Sequence, residues 1–209
     1  MEKTATLEVH DRLFALADQS DMRFETADWS TGLIAPMNAG AAIHAGVYRG
    51  RVTVTAVASR EEPPLAGADQ WDDIAEVSVN ATAGALQVHQ LQYGVTDAPP
   101  TLPDLSLDGP GWYRVRVYAH GRDVHHDAFE DDSGERYRIE SWRHAPLPPL
   151  IVRATSRCGY SLRVSALTQP RTTADAEPPV TQIARRAQLQ TRAALEDLSS
   201  RLRPGSGNQ

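Results

Sequence analysis

Between Ala119 and Arg136 the chain gathers Asp123, Asp127, Glu130, Asp131, Asp132 and Glu135 with His120, His125 and His126, against one cation, Arg122. Imidazoles and carboxylates are the nitrogen and oxygen ligands of borderline and hard cations, which makes His120, His125, His126 and Asp127 candidate metal ligands. Their order works against that role. His125, His126 and Asp127 are consecutive, so on an extended chain the two rings point apart, and a site requires the loop to fold back on itself. The same acids suit two other roles. They can keep a loop tip solvated and guard a sheet edge, or they can present a negative surface that steers a basic partner. In the second role Asp127, Glu130, Asp131 and Asp132 are the electrostatic contacts. Trp112, Arg114 and Tyr118, from the strand leading into the loop, are then the anchors, because aromatic and arginine side chains dominate binding hot spots.

No HExxH, GxSxG, GxxxxGK or CxxC motif occurs in the sequence, which turns the reading away from catalysis. No cofactor is expected. The alternative left open is a metal-dependent hydrolase or small-ligand module centred on the His/Asp loop. Cys158 is the single cysteine, so neither an intrachain disulfide nor a multi-cysteine zinc site can form. A lone cysteine beside Arg157 reads more simply as packing than as a reactive thiol. His10, His44, His89 and His144 are scattered, and nothing in their spacing gathers them.

The elements that must hold the loop are strands. Tyr113, Val115, Val117 and Ala119 alternate with Trp112, Arg114, Arg116 and Tyr118, and Tyr137, Ile139 and Ser141 alternate with Arg138, Glu140 and Trp142. This predicts a long β-hairpin in which Glu140 faces Arg114 or Arg116 across the strands. The same period marks 51–57, an opening strand through Leu7, Val9 and the later Leu13, Phe14 and Leu16, and short strands over 33–37 and 43–48. Ala75, Val77 and Val79, followed by Leu86 and Val88 beyond Gly84, read as a second hairpin. Leu162, Val164 and Ala166 read as a last strand. Paired prolines at 63–64 and 99–100 mark loops. The total is seven to nine strands.

After residue 167 the pattern changes. Pro170, Pro178 and Pro179 among small polar residues read as a linker over 168–180. Good helix formers, with Arg192–Glu196 and Asp197–Arg201 pairs, predict a C-terminal helix over 181–203 that either docks on the body or self-associates. Residues 204–209 read as a disordered tail. The fold class is therefore all-β, an antiparallel β-sandwich over residues 1–167, with a linker and one C-terminal α-helix.

A formal net charge of −6 disfavours direct binding of nucleic acid. No signal peptide or membrane span is legible, and the cysteine usage fits a reducing interior, so a cytoplasmic location is expected. The order Trp71 with Glu76-Val-Ser78, then Gly111-Trp-Tyr-Arg-Val-Arg-Val-Tyr-Ala-His-Gly-Arg-Asp123, then Tyr137-Arg-Ile-Glu-Ser-Trp142, resembles a widespread family of uncharacterised bacterial all-β proteins. It is also distantly similar to competence protein J, an inhibitor of a DNA-entry nuclease. The likeness spans roughly Leu7 to Val164. In the family the closing Trp precedes a Pro directly, whereas here Arg143-His144-Ala145 intervene before Pro146. The resemblance implies a non-catalytic inhibitor or immunity-like protein whose partner is a basic nuclease or toxin, with no catalytic residues to carry over.

Overall fold

The computed structural model describes residues 1–18, 22–65, 67–91 and 102–168. The linker, helix and tail expected beyond residue 168 lie outside the described residues. Ten strands form two sheets. The larger contains β1 (Glu2–Val9), β5 (Arg49–Ala58), β6 (Asp73–Ala81), β8 (Gly111–His120), β9 (Phe129–Arg143) and β10 (Leu150–Ala154), in the order β1-β5-β9-β8-β6-β10. The smaller contains β2 (Leu13–Ala17), β3 (Ile34–Met37), β4 (Gly40–His44) and β7 (Gln87–Gln90), in the order β3-β4-β2-β7.

Alternation decides which face each strand buries. Val52, Val54 and Ala56 of β5, Val77 and Val79 of β6, and Tyr113, Val115 and Val117 of β8 turn inward to meet Phe14, Leu16, Ile43 and Val88 of the smaller sheet. The two layers touch ring to ring where Phe14 meets Tyr137 edge-on, with centroids 5.1 Å apart. The central hairpin has the predicted register: β8 pairs antiparallel with β9, setting Arg116 opposite Glu140 and Arg114 opposite Trp142.

Four details differ from the sequence reading. First, β5 and β9 run parallel, so the sheet is antiparallel everywhere except at that pair. Second, 73–81 and 87–90 are not a hairpin. β6 pairs with β8 and β10 while β7 joins the other sheet beside β2, because Val88 and Leu86 complete the core from the opposite layer. Third, the 43–48 segment is strand only to His44, since Gly46 lies so close to the backbone of Arg122 that a side chain there would collide with its carbonyl.

Fourth, the strand expected through Leu162, Val164 and Ala166 is a helix, α1 (Arg157–Thr168). Its start is specified by capping that alternation hides. Ser156 Oγ accepts the Gly159 N–H at 2.9 Å, and Asp123, far away in sequence, accepts the N–H groups of Arg157 and Cys158. The helix rests on a short 3-10 turn at Trp29–Thr31, where Gly32, at φ +74°, lies against the Gly159 carbonyl too closely for any Cβ.

The outward face of the larger sheet is buried at its centre, across β6, β8 and β9. Glu76, on β6, receives Arg114 Nε at 3.0 Å and Arg116 Nε at 2.6 Å, while Arg116 reaches Glu140 at 3.3 Å and Glu62 at 2.8 Å. Replacing one partner strands the other charges away from water, which costs several kcal/mol. Glu76→Ala is expected to lower unfolding free energy by about 3 kcal/mol in urea titration, whereas Glu62→Ala, at the exposed end of the network, costs under about 1 kcal/mol.

Candidate functional site

The segment from His120 to Glu135 is not one loop. Only 121–128 connects the strands, and β9 begins at Phe129, so Glu130, Asp131 and Asp132 stand on a strand that pairs in parallel with 49–51 of β5. The register slips twice along this stretch, between Gly50 and Arg51 and again between Arg51 and Thr53. Such bulges bend a strand and re-aim its side chains. The acids are therefore held on a bent strand end rather than on a mobile tip.

Three of the acids are structural. Glu135 is buried and its carboxylate accepts the N–H groups of Gly46 and Val47 at 3.0 and 2.6 Å, together with the Tyr137 hydroxyl. Burial, then the Glu135 charge, pushes the Tyr137 phenol well above its ordinary range. Asp123 caps α1. Burial works the other way, but the helix amides of Arg157 and Cys158 hold its carboxyl below the usual value. Asp127, in the left-handed region at φ +62°, pairs with Arg12.

The outward acids are Glu130, Asp131 and Asp132. Glu130 lies 3.5 Å from His125, and Asp132 accepts the Gly134 N–H at 3.2 Å. The Asp131 side chain has no ion pair or hydrogen bond among the described residues, although its carbonyl accepts from Arg51 Nε at 2.7 Å. Beside them Phe129 is 71% exposed and packs on Tyr48 with centroids 4.9 Å apart, and Arg12 stacks on the other partner of that pair, Tyr48. Glu8, Arg49, Arg51, Phe129, Glu130 and Asp131 line a surface groove of about 570 Å³.

The anchors expected on β8 do not join this surface. Arg114 and Tyr118 are buried, Arg114 in the Glu76 network and under the Leu147 and Pro148 carbonyls, Tyr118 against Trp71 and hydrogen-bonded to Glu140. The face they occupy looked open because alternation reports a strand's two faces, not what later folds over one of them. Trp112 is exposed, but the hairpin register puts it level with residue 144, roughly 40 Å of strand away from Asp132 at about 3.3 Å per residue.

Nor do the candidate metal ligands converge. His120 lies 3.3 Å from Asp72, His125 3.5 Å from Glu130 and His126 3.8 Å from Asp127, three separate pairs. Among the described residues no group of three or more His, Cys, Asp or Glu is placed to hold a metal ion. Sequence reasoning overlooked Phe129, Tyr48 and Arg12. An aromatic set directly before three acids in Phe129-Glu-Asp-Asp132 was the available signal for the first; the other two come from separate turns, before β2 and before β5, brought alongside only by the fold.

No family model matches the chain, and no curated protein matches it. Two solved structures resemble it. One is ComJ, inhibitor of the DNA-degrading activity of NucA, from Bacillus subtilis, at 12% identity and a TM-score of 0.44, covering 68% of this chain and 96% of that one. The other is crocagin biosynthetic gene J, at 15% identity and a TM-score of 0.33, covering 69% of this chain and 98% of that one. No described helix is long and apolar enough to cross a membrane.

Behind the loop lies a second polar cluster. His44 is buried between the Trp29 ring, 5.9 Å away edge-on, and Cys158 Sγ, 3.7 Å from Nδ1. Burial, then the charges of Arg122, Arg12 and His126, lower its pKa to about 3 from 6.5, while burial raises that of Cys158. Both groups are thus neutral at pH 7, and neither is an activated nucleophile or base. Between pH 6.5 and 3 the unfolded chain binds a proton that folded His44 refuses, so stability falls as pH falls through that window, by up to about 1.4 kcal/mol per pH unit from this residue. Urea midpoints measured across that range are expected to show a shallower decline in His44→Gln than in the parent protein.

Proposed function

We propose that this protein is a non-catalytic binding module that engages a basic protein partner, such as the cationic groove of a nuclease or toxin, through the acid-bearing end of β9, in the manner of an inhibitor or immunity protein acting in the cytoplasm. The observation that carries this reading is the bent start of β9, where Phe129 stands exposed on Tyr48 with Glu130, Asp131 and Asp132 following it and Asp131 free of any ion pair among the described residues. An aromatic anchor surrounded by carboxylates combines desolvated contact area with steering charge. Its rigidity matters as much as its charge. Arg51 Nε holds the Asp131 carbonyl and Ser133 Oγ donates to the Arg51 carbonyl, so little ordering entropy is lost on binding.

Steering predicts where a mutation acts. A partner is isolated by affinity capture, identified and purified, and its binding is followed by stopped-flow and calorimetry. Combining Glu130→Gln, Asp131→Asn and Asp132→Asn is expected to weaken binding at least about tenfold, chiefly by slowing association and flattening its salt dependence. Phe129→Ala is expected to raise the dissociation rate instead. Unchanged affinity in both variants would remove this surface from the account.

A further inference from the structure

At the other side of the larger sheet, β10 is an edge of unusual composition. It pairs with β6 alone and has no neighbour on its outer side among the described residues. An open edge presents a row of unpaired N–H and C=O groups, and proteins ordinarily blunt it with charge or by covering it. This strand reads Leu150-Ile-Val-Arg-Ala154, with Leu150 50% and Ile151 43% exposed. Proline at 148 and 149 guards the approach to the strand, but not the strand itself.

Its own segment carries only positive charge, and the nearby carboxylates Asp72 and Asp123 stand at its C-terminal end. No Asp or Glu occurs from Ser141 to Ala174, although the whole chain carries a net −6. The neighbouring strand adds no exposed acid opposite β10, because Asp73 and Glu76 are buried and compensated by Arg122, Arg114 and Arg116. Arg153 is exposed with no ion pair among the described residues, and the Arg157 side chain, 90% exposed, comes no nearer than 3.9 Å to Asp123.

We infer that the β10 edge is a docking site for an extended, acidic peptide segment of a partner protein, which adds as a further strand and sets carboxylates against Arg153 and Arg157. Backbone hydrogen bonds along the edge supply affinity, and side chains on the guest's two faces meet Leu150 on one face and Ile151 on the other. Charge selects the guest. A second copy pairing β10 with β10 would bring Arg153 and Arg157 of both chains together at one seam, whereas an acidic strand meets complementary potential. This site is independent of the acidic end of β9, which lies on the far side of β8 and β6.

The test uses the full chain and three fluorescein-labelled synthetic peptides: one alternating isoleucine with glutamate, its lysine counterpart, and the glutamate peptide with N-methyl groups on alternate amides. Anisotropy is expected to show saturable binding of the glutamate peptide only, weakened at least about tenfold by Arg153→Glu with Arg157→Glu, both at exposed positions. Hydrogen exchange is expected to slow at β10 in its presence. Equal binding of the N-methylated peptide, absence of protection at β10, or no binding of the glutamate peptide would overturn the inference, as would sedimentation showing β10 already buried in a dimer. Lysine-peptide binding that vanishes when the β9 acids are neutralised reports the other surface, and without glutamate-peptide binding it counts against this one.

Discussion

The buried pair of Arg122 and Asp73 fixes four separate segments of the domain to one another. Arg122, fully buried, donates to Asp73 at 2.8 Å and to the Gly32 carbonyl at 3.0 Å. Asp73 in turn accepts the N–H groups of Thr155 and Ser156 and the Ser156 hydroxyl. One ion pair thus ties the first residue of β6, the loop after β8, the 3-10 turn before β3 and the junction of β10 with α1. A charge pair so far from water needs further partners, and the backbone supplies most of them here, although Arg122 Nε has none among the described residues. Its value lies more in fixing these four segments to one another than in net stability.

That constraint explains why an anionic-looking segment behaves as two separate things. Parts of 120–127 are tied to the body: Arg122 is buried and anchors the segment, Asp123 caps a helix and Asp127 holds Arg12. Residues 129–132 are pushed outward, since β9 must continue beyond the end of β8 to pair with β5 and has one face open there. Formal charge in a sequence says nothing of this division. It emerges from which carboxylates find backbone amides to accept from and which do not.

The sandwich was legible because period-2 alternation is a direct consequence of one face being buried, and Val52, Val54, Tyr113, Val115 and Val117 obey it without exception. That Glu140 faces Arg114 or Arg116 followed from hairpin geometry, and the structure sets it opposite Arg116. What escaped was non-local. Leu86 and Val88 belong to a different layer from Val77 although only a short turn separates them, and α1 is set in place by Asp123, 34 residues before Arg157. The burial of Arg114 and Arg116 depends likewise on segments near 147 and 63 that carry no periodic signal. At the candidate site the acids were legible as residues, but not their separation from Trp112, because a bulged strand start looks like a loop when read in one dimension.

The parallel junction of β5 with β9 has a consequence for how the chain reaches this structure. Arg49 and Phe129, neighbours in the sheet, are 80 residues apart along the chain. β5 must wait, with β1 its partner on only one side, until most of the domain has emerged from the ribosome. Closure entropy over so long a span makes that a slow, late step. The half-built sheet meanwhile offers Val52, Val54 and Ala56 along an unpaired border, so the interval before β9 arrives is when this protein is most exposed to mispairing with its neighbours.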